Sequence, residues 1–129
     1  MGALRHENKT FSMMVVDDSN IIRRKIERGA DANSFSVVAT ANSGVEAVLA
    51  FRKQKTEVVT MDITMPHMDG IACIEELITI NPEVRILVIS ALADKATGIE
   101  ALERGARGFL CKPFSDDQLN SALRELVED

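Results

Sequence analysis

VVTMD, at residues 58–62, is an apolar run that ends in a carboxylate, and it decides the fold. The run is continuous rather than alternating, which is typical of a strand buried on both faces of a parallel sheet. Four more runs of this kind lie along the chain: Met13–Val16, Phe35–Ala39, Arg85–Ile89 and Gly108–Cys111. The sequence therefore predicts five short buried strands, of which Val58–Met61 is the third.

The segments between these runs have helical spacing. The last segment carries an amphipathic stripe at i, i+3, i+4, i+7 and i+8, made of Leu119, Ala122, Leu123, Leu126 and Val127. Shorter stripes predict the second and third helices, with Val45, Val48 and Leu49 in one and Ile71, Ile74 and Ile78 in the other. Strand and helix in alternation predict an α/β fold, a doubly wound five-stranded parallel sheet with helices on both faces.

Capping signals agree with these helices. Ser43 with Glu46, and Ser115 with Gln118, have the spacing of a capping box, in which each side chain satisfies a free backbone donor of the other residue. The pair at 81–82, Asn-Pro, is expected to stop the third helix, and the glycine at 105 the fourth. Residues 29–33, GADAN, are weak helix formers, so we expect the first helix to fray or end there.

Length and charge narrow the class of protein. The chain has 129 residues, which fits one domain, and 15 basic against 20 acidic residues give a formal charge of -5. That balance argues against direct binding of nucleic acid. No apolar run approaches the roughly 18 residues that span a bilayer, and the polar start lacks a secretory signal. We therefore expect a cytoplasmic protein with no membrane partner, with Cys73 and Cys111 as buried thiols.

Polar side chains follow four of the five apolar runs. Asp17 and Asp18 end the first run, Asp62 the third, Ser90 the fourth and Lys112 the fifth. The carboxyl ends of parallel strands meet at one edge, and ligands bind there at the point where strand order reverses. Each of these residues alone is more often a cap or a surface side chain. All five together on one rim favour a functional site.

These residue types also fit one chemistry. At an effective dielectric near 20, two carboxylates about 4 Å apart repel by roughly 4 kcal/mol, so three acids either raise a pKa or require a cation. Mg²⁺ suits a site with few carboxylates and coordination left for water and phosphate oxygens. A lysine and a hydroxyl can bind phosphoryl oxygens, and an aspartate can act as nucleophile and form an aspartyl-phosphate.

Four segments resemble the signature segments of response-regulator receiver domains, the phosphoacceptor modules of two-component systems. They are Val15–Ser19, Met61–Gly70, Ser90-Ala91 and Lys112–Phe114. By size and by the segment from Asp62 to Gly70, the chain is similar to the single-domain chemotaxis type, the CheY type. The resemblance implies a receiver domain over residues 11–129 behind a flexible tail at residues 1–10. It also implies the flavodoxin-like strand order 2-1-3-4-5.

The resemblance gives each acid of the rim a role. Asp62 would be the phosphoacceptor, receiving the phosphoryl group from a histidine kinase. Asp18, Asp62 and the backbone carbonyl of Thr64 would hold Mg²⁺, with Asp17 helping through water. The chain would then be no enzyme beyond catalysing its own phosphorylation and autodephosphorylation.

The resemblance also implies how the signal leaves the domain. Ser90 and Lys112 would contact the phosphoryl group, and Phe109 would be the switch aromatic that rotates inward as Ser90 moves. The bond between Lys112 and Pro113 would be cis. A downstream protein, a flagellar motor switch or another effector, would bind the face of the fourth helix, fifth strand and fifth helix. The protein would be a monomer or a phosphorylation-dependent dimer.

Three alternatives remain open at this point. A haloacid-dehalogenase-type phosphatase uses similar residues, but in that family the nucleophile precedes the acid pair. A second aspartate also lies two residues after the nucleophile. Here Asp17 and Asp18 precede Asp62, and Thr64 occupies the other place, so chain order argues against it. A degenerate receiver is disfavoured because all five rim residues are present. A receiver cut from a longer regulator with an output domain stays possible on sequence alone.

Overall fold

The computed structural model describes residues 9–64, 70–91 and 94–128. Most of the predicted tail over residues 1–10, and residues 65–69 of the predicted signature segment, lie outside the described residues. The strands are β1 (Phe11–Val16), β2 (Phe35–Ala41), β3 (Val58–Asp62), β4 (Arg85–Ala91) and β5 (Gly108–Lys112). They form one parallel sheet in the order β2-β1-β3-β4-β5, which confirms the predicted fold and strand order.

Helices alternate with the strands and cover both faces of the sheet. They are α1 (Asn20–Gly29), α2 (Gly44–Lys53), α3 (Gly70–Ile80), α4 (Lys95–Glu103) and α5 (Asp116–Val127). Successive strand residues point to opposite faces, so Met14 and Val16 enter one apolar cluster while Met13 and Val15 enter the other. The first cluster lies under α2, α3 and α4, and the second under α1 and α5. The sheet is therefore buried on both sides.

Most of the predicted helix ends are confirmed. Ser115 and Gln118 form a complete capping box at the start of α5. Ser43 accepts from the Glu46 backbone N–H, whereas the Glu46 carboxylate accepts from the backbone of Asn42, one residue before the cap. Helix α3 ends at Ile80, before the proline, and the glycine at 105 follows α4 with φ +120°.

Helix α1 ends at Gly29, inside the stretch predicted to be weak. The structure adds a cause that the local sequence does not contain. The Asn120 side chain of α5 donates to the Gly29 carbonyl at 2.7 Å and accepts from the Asp31 backbone N–H at 2.8 Å. The Asn120 amide therefore pairs with a carbonyl that the end of the helix leaves free and with a backbone N–H of the chain that follows the helix. This fixes the end of α1 against α5.

Two expectations about burial were wrong. Val45 and Leu49 of α2 are 74% and 57% exposed, whereas Ala47 and Phe51 are buried. Val45 and Leu49 each lie two residues from Ala47, about 200° around the helix, so these two side chains face away from the sheet. Val48, the third residue of the predicted stripe, is partly buried and packs against the first cluster. Cys111 is only half-buried because β5 is an edge strand, while Cys73 is buried as expected.

Candidate functional site

The carboxyl ends of four neighbouring strands bring the predicted site residues to one rim of the sheet. In the register, Val16 pairs with Met61 and Asp62 pairs with Ile89, so the loop after β1 lies beside the end of β3. Ala91 pairs with Lys112, which places the end of β5 beside that of β4. Strand order reverses between β1 and β3, and the acids lie at that point.

Asp17 is 1% exposed and is held by the turn that leads into α1. Its Oδ1 accepts from the Ser19 backbone N–H at 2.8 Å, the side-chain-to-backbone bond that aspartate makes two residues ahead. Ser19 is in turn the N-cap of α1 and accepts from the Ile22 N–H. Asp18, between them, is exposed. The turn thus points one acid inward and leaves the other open to solvent.

Asp62 is 2% exposed and repeats the same turn at the end of β3. Its Oδ1 accepts from the Thr64 backbone N–H at 2.8 Å and from the Thr64 hydroxyl at 2.6 Å. Its Oδ2 faces the Lys112 ammonium, with Nζ at 3.2 Å. The same Nζ lies 3.5 Å from the Asp17 Oδ2. A single lysine therefore bridges the two buried acids.

Asp17 carries the electrostatic cost of this arrangement. Burial raises its pKa above the ordinary value, and the nearby Asp62 charge raises it further. The bond from the Ser19 N–H and the charge of Lys112 oppose this rise in pKa without cancelling it. The Asp17 Oδ2 is buried and makes no hydrogen bond among the described residues, where its polar contact is the 3.5 Å ion pair with Lys112. A buried carboxylate oxygen held only by so long an ion pair fits a further donor or a cation beside it.

The donor set fits a small hard cation. Asp17, Asp18 and Asp62 each offer a carboxylate oxygen, and these oxygens lie within 4.8 Å of one another. All the donors are oxygens, and one acid is open to solvent, which leaves room for water in the coordination sphere. The residues present therefore fit Mg²⁺.

The remaining predicted residues lie at β4 and β5. Ser90 is fully buried, and its hydroxyl donates to the Ala91 carbonyl at 3.1 Å rather than to an acid of the rim. Phe109 is half-buried at the edge of the cluster under α4. The bond between Lys112 and Pro113 is cis, as predicted.

Sequence reasoning missed two contacts at the rim. The Arg23 guanidinium donates to the Asp17 carbonyl at 2.6 Å and also contacts Asn20, so α1 is tied to the loop that carries the acids. The hydroxyl of Thr64 contacts Asp62, whereas the sequence had suggested only a role for its backbone carbonyl. A Thr two residues after an Asp is a usable signal for the second contact, because that spacing permits the turn. No local pattern indicates the first.

Over the described parts of the chain, no helix combines the length and the apolar character needed to cross a membrane. The fold and the rim together define a doubly wound α/β domain with an acidic, lysine-bearing cluster at its topological switch point.

A family model for the response regulator receiver domain matches residues 13–124. The chain belongs to this family, whose members are signalling modules. It is 37% identical over 115 residues to the chemotaxis protein CheY of Bacillus subtilis, covering 89% of this chain and 96% of that one. It is also 37% identical over 114 residues to the chemotaxis protein CheY of Thermotoga maritima, covering 88% of this chain and 95% of that one.

Solved structures agree with this membership. CheY in a CheX-CheY-BeF3-Mg complex from Borrelia burgdorferi superposes with a TM-score of 0.84 at 29% identity, covering 92% of this chain and 90% of that one. That complex contains beryllofluoride and magnesium. The chain is thus a receiver domain by sequence, by fold and by strand order.

Proposed function

We propose that this receiver domain accepts a phosphoryl group on Asp62 and changes its binding of a partner protein as a result. The observation that carries the proposal is the buried Asp62 carboxylate, which lies 3.2 Å from the Lys112 ammonium and within one cluster with Asp17 and Asp18. A nucleophile, a cation for phosphoryl oxygens and a cation-binding acid pair are thereby held at one point.

The chemistry follows from these contacts. A carboxylate oxygen of Asp62 attacks the phosphorus of a phosphohistidine or a small acyl phosphate, the new O–P bond forms, and the bond to the leaving group breaks. Lys112 Nζ, now on Asp62 Oδ2, would contact a phosphoryl oxygen instead. Ser90 would rotate its hydroxyl from the Ala91 carbonyl to the same group. Catalysis is mostly positioning and charge stabilisation by these side chains.

The metal and the fate of the phosphoryl group belong to the same proposal. Asp18, Asp62 and the Thr64 carbonyl would hold Mg²⁺, with Asp17 contributing through water. When bound, the ion supplies positive charge that offsets the repulsion among the acids and the phosphoryl oxygens. Water would then hydrolyse the aspartyl-phosphate, and we propose no enzymatic activity beyond this phosphorylation and autodephosphorylation.

The relatives support a chemotaxis-type role in a two-component system. The phosphoryl donor would be a histidine kinase in the cytoplasm, and the target would be a flagellar motor switch or another effector. The proposed contact surface comprises α4, β5 and α5, where Ile99 and Leu102 of α4 are 49% and 40% exposed. The domain would remain a monomer or dimerise through this surface on phosphorylation. The tail at residues 1–10 and the domain limits at 11–129 stay predictions.

Intact-protein mass after incubation with acetyl phosphate and Mg²⁺ tests the acceptor. The wild-type chain should gain the mass of one phosphoryl group, and the gain should vanish in Asp62→Ala and when Mg²⁺ is chelated. Asp117→Ala is the matched control, because Asp117 is an exposed acid in the first turn of α5 and is not part of the cluster of Asp17, Asp18 and Asp62. Undiminished labelling of Asp62→Ala, or no labelling of the wild-type chain, contradicts the proposal.

A further inference from the structure

Phe109 lies against the backbone of α4 at Gly98. A Cβ atom built on Gly98 would overlap the edge of the Phe109 ring, with Cζ at 2.7 Å and Cε2 and Cδ2 closer still. Real side-chain carbons do not approach a ring this closely. The ring therefore occupies space that exists only because residue 98 has no side chain, and we call this space the Gly98 seat.

Nothing in helix energetics favours glycine at this position. Gly98 lies in the interior of α4, where glycine is less favourable than alanine by about 1 kcal/mol. It is buried and has no positive φ that would require glycine. Its surroundings also differ from those of Gly105, whose φ of +120° suits the turn after α4. The contact with the Phe109 ring is the feature that explains why residue 98 is a glycine.

We propose that Gly98 is a positioning residue for Phe109, and that the Gly98 seat holds this ring in the resting arrangement of the domain. In that arrangement the Ser90 hydroxyl is bonded to the Ala91 carbonyl, away from the rim. The ring bridges β5 and α4, so its departure removes packing from a helix that otherwise buries only Ala101. Movement of the ring and rearrangement of α4 are then one event.

The link to phosphorylation rests on the proposed function, whereas the seat itself does not. The two are therefore tested separately. The first test is a double-mutant cycle of thermal stability with the wild-type chain, Gly98→Ala, Phe109→Ala and the double variant. In the Phe109→Ala background the added methyl meets no ring, so Gly98→Ala should raise the Tm, as alanine usually does in a helix. In the wild-type background it should lower the Tm.

Equal Tm shifts for Gly98→Ala in the two backgrounds overturn the Gly98 seat, whatever their sign. Thr97→Ala is the matched control, because Thr97 is an exposed neighbour in the same helix. Its effect on Tm should not depend on residue 109. Should Phe109→Ala fail to fold, Phe109→Leu replaces it in the cycle.

The second test follows the ring itself by NMR in protein labelled with ring-¹³C phenylalanine, with the Phe109 signals assigned from Phe109→Leu. Gly98→Ala should move the Phe109 signals towards the positions they take in the wild-type chain with beryllofluoride and Mg²⁺. Thr97→Ala should leave them in place. When the ring leaves Gly98, the wild-type chain loses the packing between them, whereas the Gly98→Ala variant has no such packing to lose. The variant should therefore bind beryllofluoride roughly fivefold more tightly, or better, in the presence of Mg²⁺.

The outcomes separate the two ideas. Coupling in the stability cycle without any movement of the Phe109 signals by beryllofluoride would leave the Gly98 seat standing and would refute Phe109 as the switch. Movement by beryllofluoride without coupling in the cycle would refute the seat and leave the proposed function intact. Unchanged or weaker beryllofluoride binding by Gly98→Ala contradicts the assignment of the seat to the resting arrangement.

Discussion

Helices α5 and α4 flank the same edge strand, β5, but they are held in different ways. Helix α5 begins with a complete capping box, has two acids in its first turn, and buries four large apolar residues: Leu119, Leu123, Leu126 and Val127. Helix α4 has Asp94 as its N-cap, whose side chain makes no capping bond, and it buries only Gly98 and Ala101. Local sequence and packing thus stabilise α5 far more strongly than α4.

Contacts across the fold widen this difference. Asn120 of α5 binds both sides of the α1 end, and the Arg85 side chain of β4 donates to the Leu126 carbonyl at 3.0 Å. On the other side, Arg104 after α4 reaches Glu75 of α3 at 3.1 Å, with both side chains about half exposed. Exposed ion pairs contribute little. The anchored helices α1 and α5 therefore contrast with a weakly held helix, α4, and a local rearrangement costs least in the weakly held part of a fold.

The largest expected difference in the free energy of unfolding is between two leucine-to-alanine variants, one in each helix. Leu123→Ala in α5 should reduce the free energy of unfolding by about 2–5 kcal/mol, because the side chain is fully buried in the second cluster. Leu102→Ala in α4 should cost below about 1 kcal/mol, since the side chain is 40% exposed. Urea unfolding measures both values. Similar losses in the two variants would remove the asymmetry on which the comparison rests.

Helix capping provides a second, smaller contrast. Ser115→Ala should cost about 1 kcal/mol, because it removes the acceptor for the Gln118 backbone N–H. Asp94→Ala should change the free energy of unfolding by no more than about 0.5 kcal/mol, because the Asp94 side chain makes no capping bond. The same unfolding experiment applies. A cost for Asp94→Ala equal to that of Ser115→Ala would show that α4 is capped after all.

The smallest effect concerns Glu57, at the amino-terminal ends of the strands and opposite the rim. Burial alone would raise its pKa, but the Lys9 ammonium at 2.7 Å and the Ser12 N–H hold the pKa below its ordinary value of 4.5. The carboxylate is therefore stabilised by the fold above that pH, and this contribution is lost as the pH falls through the lowered pKa. Both side chains are more than a third exposed, so the gain stays below about 1 kcal/mol.

Glu57→Gln should therefore lose stability at pH 7, and the difference from the wild-type chain should shrink as the pH falls below 4.5. Thermal unfolding over a pH series measures this difference. In a Lys9→Gln background most of the pH dependence should disappear, because the Lys9 bond is the strongest of the contacts that lower the pKa. A constant difference across the series would contradict the ion pair.

The sequence predicted what repeats along the chain and missed what depends on contacts across it. Continuous apolar runs identified all five strands, and their polar ends identified the rim, because parallel strands bring their carboxyl ends together. The stripe of α5 was confirmed, since its apolar residues are also its buried ones. The stripe of α2 was only partly right, because Val48 packs against the first cluster whereas Val45 and Leu49 are exposed and the buried residues are Ala47 and Phe51.

Two features had no signal in the sequence because they depend on which residues the fold brings into contact. The bonds from Asn120 to the end of α1 span about ninety positions of chain. Gly98 reads locally as a weak point of a helix, and only the fold brings the Phe109 ring onto it. The roles proposed for the rim residues, for Ser90 and for Phe109 remain predictions until phosphorylation is measured.

Hydrogen exchange with and without beryllofluoride, in the presence of Mg²⁺, tests the central claim most directly. We expect protection to change at the rim, beside Asp17 and Asp62, and also across residues 94–112, which include α4 and β5. The buried part of α5 should exchange slowly in both states. Changes confined to the rim, with none across residues 94–112, would show that the signal does not leave the site and would contradict the account.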